Sequence, residues 1–63
     1  MIKEDQIYVG NKFIGDMNYE RFEIVNIIND NGVDYVVVED KKKKRTYVTM
    51  ERFKNLLLTE IES

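Results

Sequence analysis

Phe22-Glu23-Ile24-Val25-Asn26-Ile27-Ile28 and Val33-Asp34-Tyr35-Val36-Val37-Val38 flank the tetrapeptide Asn29-Asp30-Asn31-Gly32. Asn-Gly between two apolar runs predicts a tight β-hairpin. A type I′ turn needs positive φ at both central positions, and Asn and Gly adopt it at the least steric cost. β-branched residues fill both arms, and their stiff side chains suit a pleated surface better than a helix. The hairpin is therefore the seed of the fold, predicted as strands at Arg21 to Ile28 and Val33 to Glu39.

Two more strands extend the sheet. One is predicted over Ile7 to Ile14, with Gly10 as a bulge or a point of close backbone approach. The other covers Arg45 to Thr49 and is reached through Lys41-Lys42-Lys43-Lys44. Gly15-Asp16-Met17-Asn18 is predicted as the loop between the first two strands. Thr49 then reads as a helix N-cap, with Glu51 in the first turn complementing the helix dipole. Met50, Phe53, Leu57 and Ile61 fall at helical spacing, although Leu58 to Ile61 also reads as a short closing strand. The expected fold class is mainly β with one C-terminal helix. It is a curved antiparallel meander or small barrel of four to five strands, in one small domain over residues 1–63.

Pairing follows from the turns. Asn31-Gly32 as a two-residue turn sets Ile28 opposite Tyr35, Ile27 opposite Val36 and Val25 opposite Val38. A symmetric turn over the four lysines sets Val38 opposite Tyr47 and Val37 opposite Val48. Alternation then gives one face with Phe22, Ile24, Ile28, Tyr35, Val37, Val48 and Met50. The other carries Val25, Ile27, Val36, Val38 and Tyr47. Both faces are apolar, whereas an antiparallel sheet with one wet face alternates cleanly. Either a curled barrel and its helix cover both faces, or one face meets a partner. A bulge at Val25-Asn26 would redistribute these residues. The strip Val25, Ile27, Val36, Val38 and Tyr47 is the candidate partner-binding surface, for another protein or for a second copy of the chain.

Composition narrows the chemistry. The chain has 63 residues and contains neither Cys nor His. Thiolate and imidazole sites are thereby excluded: the usual zinc centres, iron–sulfur clusters, His-ligated haem and Cys- or Ser–His nucleophiles. No metal and no cofactor is expected. Aligning Gly32 to the glycine of a calcium loop puts Ile27 and Val38 where carboxylates must stand, so that reading fails. Glu23 and Asp40 beside Arg45 read as a surface charge cluster rather than an acid–base pair. No catalytic residue is assigned, and an enzyme is not expected. A core this small leaves little material for a deep substrate pocket, so no small-molecule substrate is expected either.

The longest apolar run, Tyr35 to Val38, falls far short of the roughly 20 residues of a membrane helix. Met1 to Gln6 is mostly polar and does not read as a signal peptide. The expectation is a cytoplasmic protein without a membrane partner.

Lys41-Lys42-Lys43-Lys44-Arg45 is the sharpest local feature. Five cations at a hairpin tip offer contacts to an anion or an acidic partner. They also serve as a solvated turn that discourages edge-to-edge association. The formal net charge is −2, from 10 cationic and 12 anionic side chains, and a dedicated nucleic-acid module is usually basic. A nucleic-acid-binding barrel using this hairpin and Tyr47 is the alternative reading.

Tyr8-Val9-Gly10-Asn11-Lys12-Phe13, Arg21-Phe22-Glu23-Ile24-Val25-Asn26-Ile27 and Tyr47-Val48-Thr49-Met50-Glu51-Arg52-Phe53-Lys54-Asn55-Leu56-Leu57 together carry a resemblance. The chain resembles short uncharacterised phage and prophage proteins with an SH3-like small barrel. The shared pattern is a VGxxF opening, an (Y/F)EIVxI strand and a closing xxFxxLL segment. The resemblance implies a phage or mobile-element origin and a non-enzymatic role in binding a host protein. It transfers no functional residue.

Overall fold

The computed structural model describes residues 2–15 and 20–61. Five antiparallel strands form one open sheet: β1 (Lys12–Gly15), β2 (Arg21–Asp30), β3 (Val33–Asp40), β4 (Arg45–Thr49) and β5 (Leu58–Glu60). Their order across the sheet is β4-β3-β2-β1-β5, so the last strand pairs with the first. A single helical turn, α1 (Met50–Lys54), joins β4 to β5, and a 3₁₀ turn over Glu4–Gln6 precedes β1. The expected loop at Asp16-Met17-Asn18 lies outside the described residues.

The Asn-Gly turn forms as predicted. Asn31 (φ 52°) and Gly32 (φ 83°) both lie in the left-handed region, and Asp30 opposes Val33. Ile28 opposes Tyr35 and Ile27 opposes Val36, as the two-residue turn requires. The register then shifts between Ile24 and Asn26, because Val25 is an extra residue with no partner of its own. Beyond this bulge Ile24 opposes Val38 and Phe22 opposes Asp40. The predicted pairing of Val25 with Val38 is thereby corrected.

The second hairpin corrects the expected lysine turn. Lys43 N donates to Asp40 O and Asp40 N to Lys44 O, both at 3.0 Å, and Lys43 has φ 68°. This is a three-residue loop in which a tight turn is followed by a left-handed residue. It sets Val36 opposite Val48, Val37 opposite Tyr47 and Val38 opposite Thr46. A four-residue symmetric turn would have slipped every pair by one, which turns each β4 side chain to the other face.

These two corrections sort the faces. The core cluster contains Ile2, Phe13, Ile24, Val36, Val38 and Phe53, with Phe22, Ile27, Val48 and Leu58 packed against it. Phe13 and Phe53 meet edge to face, with ring centroids 5.5 Å apart. Glu23, Val37, Glu39, Arg45 and Tyr47 take the opposite, convex face through their register positions. Val37 is buried there, while Tyr47 is 62% exposed.

The first strand is shorter than the predicted Ile7 to Ile14 and starts at Lys12. Gly10 (φ 97°) turns the chain, its N–H donates to Ile24 O, and Ile24 N donates to Asn11 O. The helix starts at the predicted cap: Thr49 Oγ1 accepts from Arg52 N. It stops at Lys54, well before the helical spacing through Ile61 would end it, and Leu58 to Glu60 is the closing strand.

Candidate functional site: an apolar groove between two sheet edges

The open sheet leaves β4 and β5 as its two edge strands. Between them the core face is not fully covered. A groove of ≈ 530 Å³ runs there, floored by Phe22 and Val38 and walled by Thr46 and Val48 on one side and Leu56, Leu57 and Leu58 on the other. Phe53 closes its inner end. The volume lies within the range of ligand sites, and the lining is almost wholly apolar.

Each wall follows from local chemistry. Thr46 and Val48 face the groove because the three-residue lysine turn places them opposite Val38 and Val36. Leu56 bends the chain after the helix, and Leu58 N donates to Leu56 O at 3.1 Å, a three-residue turn centred on Leu57. The turn sets Leu57 at its apex, between Leu56 and Leu58, which pack against the core. Leu57 is consequently 68% exposed on the rim. A helix through Ile61 would have turned it inward.

The residues expected to bind a partner are not gathered on one surface. Val36 and Val38 lie in the core, and Ile27 packs against it. Val25 is the half-buried bulge residue. Tyr47 stands on the opposite face, away from Ile27, Val36 and Val38. Only Val38 of the five reaches the groove. The sequence clues to the groove were the run of three leucines and Asp40 before the lysines.

The lysine hairpin sits at one end of this groove, since Thr46 is two residues from Lys44. Asp40 Oδ1 accepts from Lys42 N and Lys44 N at 2.9 and 3.0 Å, which ties the turn's backbone to a carboxylate. Glu39 pairs with Arg45 at 3.2 Å and with Lys43 at 3.6 Å. Among the described residues Lys41, Lys42 and Lys44 have no ion-pair partner within 4.0 Å. These three exposed lysines belong to the turn that joins Val38 and Thr46, two of the groove's lining residues.

No protein-family model matches the chain, and no curated protein or solved structure does. Function therefore has to be argued from the site itself.

Another hollow near the hairpin is lined by the apolar side chains of Phe22 and Ile61 together with Lys12, Arg21, Glu23, Glu39, Asp40 and Lys41. Its charges alternate in sign and partly cancel, as expected of a solvated surface. Among the described residues there is no cluster of three or more side chains able to hold a metal. No helix among them is long and apolar enough to cross a membrane.

Proposed function

We propose that this chain is a non-enzymatic protein-binding module whose docking site is the groove between β4 and β5. The observation that carries the reading is the apolar slot itself, with Leu57 on its rim 68% exposed and, in the adjoining turn, three lysines without an ion-pair partner among the described residues. Water gains little by contact with such a lining, and burying it against a partner is favourable in proportion to the area removed. The lysines steer an acidic partner and add rim contacts.

The order of five strands, with the last paired to the first across a short helical turn, supports assignment to the SH3-like small barrels. A phage or mobile-element accessory role, in which a small barrel binds a host protein, rests on the resemblance of the sequence pattern and not on the fold. A homodimer through the groove is the self-associating version of the proposal.

Selection of a displayed peptide library against the purified protein tests the reading. Enriched peptides that bind wild type and lose binding to Leu57→Asp support the groove. No enrichment, or peptides indifferent to Leu57→Asp, overturns it. Oligonucleotide binding that falls steeply with salt and vanishes when Lys41, Lys42 and Lys44 become Ala would replace it with the nucleic-acid reading.

A further inference from the structure

The geometry points to the form of the occupant: we propose that the groove is filled by an extended acidic segment of another protein, added as an antiparallel strand to the free edge of β4. This rests on the protein-binding reading and specifies the partner's chemistry.

The backbone of β4 carries the first part of the argument. Asp40 and Lys44 are a hydrogen-bonded pair, through Asp40 N and Lys44 O. Hydrogen-bonded and non-hydrogen-bonded pairs alternate along an antiparallel ladder. Val38 with Thr46 and Val36 with Val48 are therefore hydrogen-bonded pairs. Glu39 with Arg45, Val37 with Tyr47 and Tyr35 with Thr49 are not. Because Thr49 caps α1 and gives its C=O to that helix, the groups that point away from β3, to the side where β4 has no neighbour, are the N–H and C=O of Arg45 and Tyr47 and the N–H of Thr49. They form a row of unused backbone groups, which is the template that strand addition requires.

Side-chain direction carries the second part. A residue added opposite Tyr47 shares its convex face. The residues before and after it stand opposite Val48 and Thr46 and point into the groove, whose lining is apolar. The next residue, opposite Arg45, stands beside a guanidinium, with the ammonium group of Lys44 one residue further on. The occupant is thus apolar, any residue, apolar, acidic, read in its own chain direction.

The protein already shows the solution on the other edge of β4. There β3 presents Val36-Val37-Val38-Glu39 against Val48-Tyr47-Thr46-Arg45. Val36 and Val38 are buried, and Glu39 reaches Arg45 at 3.2 Å. The free edge offers the same β4 side chains to a second strand of the same pattern. The ammonium groups of Lys41, Lys42 and Lys44, which lack ion-pair partners among the described residues, favour an acidic end over a neutral or basic one.

The test uses the full chain and a blocked synthetic peptide with a Val-Thr-Val-Glu centre flanked by threonines. Its binding is followed by amide NMR and hydrogen exchange. The expected result is slowed exchange at the amides of Tyr47 and of its neighbours on the outer edge, Arg45 and Thr49. N-methylation of the peptide residue opposite Tyr47 removes one strand bond and weakens binding about tenfold or more, while methylation one residue away does not. Replacing the peptide Glu by Lys weakens binding by a factor that shrinks as salt is raised. Peptides that bind the groove without protecting Tyr47, and tolerate every N-methylation, overturn strand addition and leave the protein-binding reading standing. Failure of this peptide and of every library peptide overturns both. Concentration-dependent dimerisation that protects Tyr47 without peptide gives the edge to a second copy and overturns the partner proposed here.

Discussion

The side chain of Asp40 accepts from the backbone N–H of Lys44 at 3.0 Å, and the same oxygen accepts from Lys42 N. That one carboxylate closes the turn on which the β3–β4 register depends. In Asp40→Ala two turn N–H groups lose their acceptor and return to water. A loss of about 1 kcal/mol is expected, as for removal of a helix cap. In a domain this size that lowers Tm by roughly 4–8 °C, checked by thermal circular dichroism. Asp40→Asn, which keeps an oxygen in place, should lose less.

Lys43 and Gly32 make opposite predictions from the same backbone region. Lys43 sits at φ 68° without being glycine. Lys43→Gly relieves about 1–2 kcal/mol of left-handed strain and gives back part of it in unfolded-state entropy. A net gain of about 0.5–1 kcal/mol is expected. Gly32 sits at φ 83°, and an added Cβ would meet nothing within 4 Å. Gly32→Ala therefore isolates backbone strain from crowding and should cost about 1 kcal/mol. Urea midpoints should move up for the first and down for the second at unchanged m.

Turn chemistry decided how much of this fold was legible. Asn31-Gly32 declares its own geometry, so the β2–β3 hairpin and its register near the turn were readable directly. Lys41 to Lys44 contains no glycine or asparagine to mark the left-handed position, and the turn instead uses Asp40 as a side-chain clamp and strains Lys43. The register was therefore read one residue off, and Tyr47 was placed opposite Val38, where Thr46 stands. The bulge at Val25 was legible only as a place where alternation fails, because a two-sided apolar strand does not say which residue is extra. The groove depends on both corrections at once and on Leu58 pairing with Gly15, a contact between chain segments far apart in sequence. Local pattern does not encode such pairings.

Asn11 ties the start of β1 to the end of the chain. Its side-chain amide donates to Gln6 O at 2.6 Å and to Glu60 Oε2 at 2.7 Å, and its Oδ1 accepts from Lys12 N at 3.0 Å. The residue is 7% exposed, so these groups have little water to turn to. Asn11→Ala should cost about 2–3 kcal/mol, the price of leaving buried partners unmet. Asn11→Asp should cost more at neutral pH, because it sets a second carboxylate against Glu60 and takes away both donors. Like-charge proximity raises the introduced group's folded pKa, so its penalty is fully present above that pKa and declines as pH falls toward about 4. Denaturant melts of both variants at two pH values separate the cases.

Stability and binding should part at Phe53 and Leu57, both of which line the groove. Phe53 is 1% exposed and meets Phe13 edge to face. Phe53→Ala removes a core ring and should cost about 3–5 kcal/mol, a large share of what a domain this small has. Any binding it loses would follow from unfolding and would identify no contact. Leu57, at 68% exposed, contributes little to the core, and Leu57→Asp should change stability by less than about 0.5 kcal/mol. A partner seated in the groove would bury that leucine, which is worth about 1.5–3 kcal/mol, so the same variant should weaken binding about tenfold or more. Matched measurements of urea midpoint and peptide affinity on the two variants check the distinction. A Leu57→Asp protein that folds normally and binds selected peptides as tightly as wild type would move the docking surface away from the β4–β5 seam.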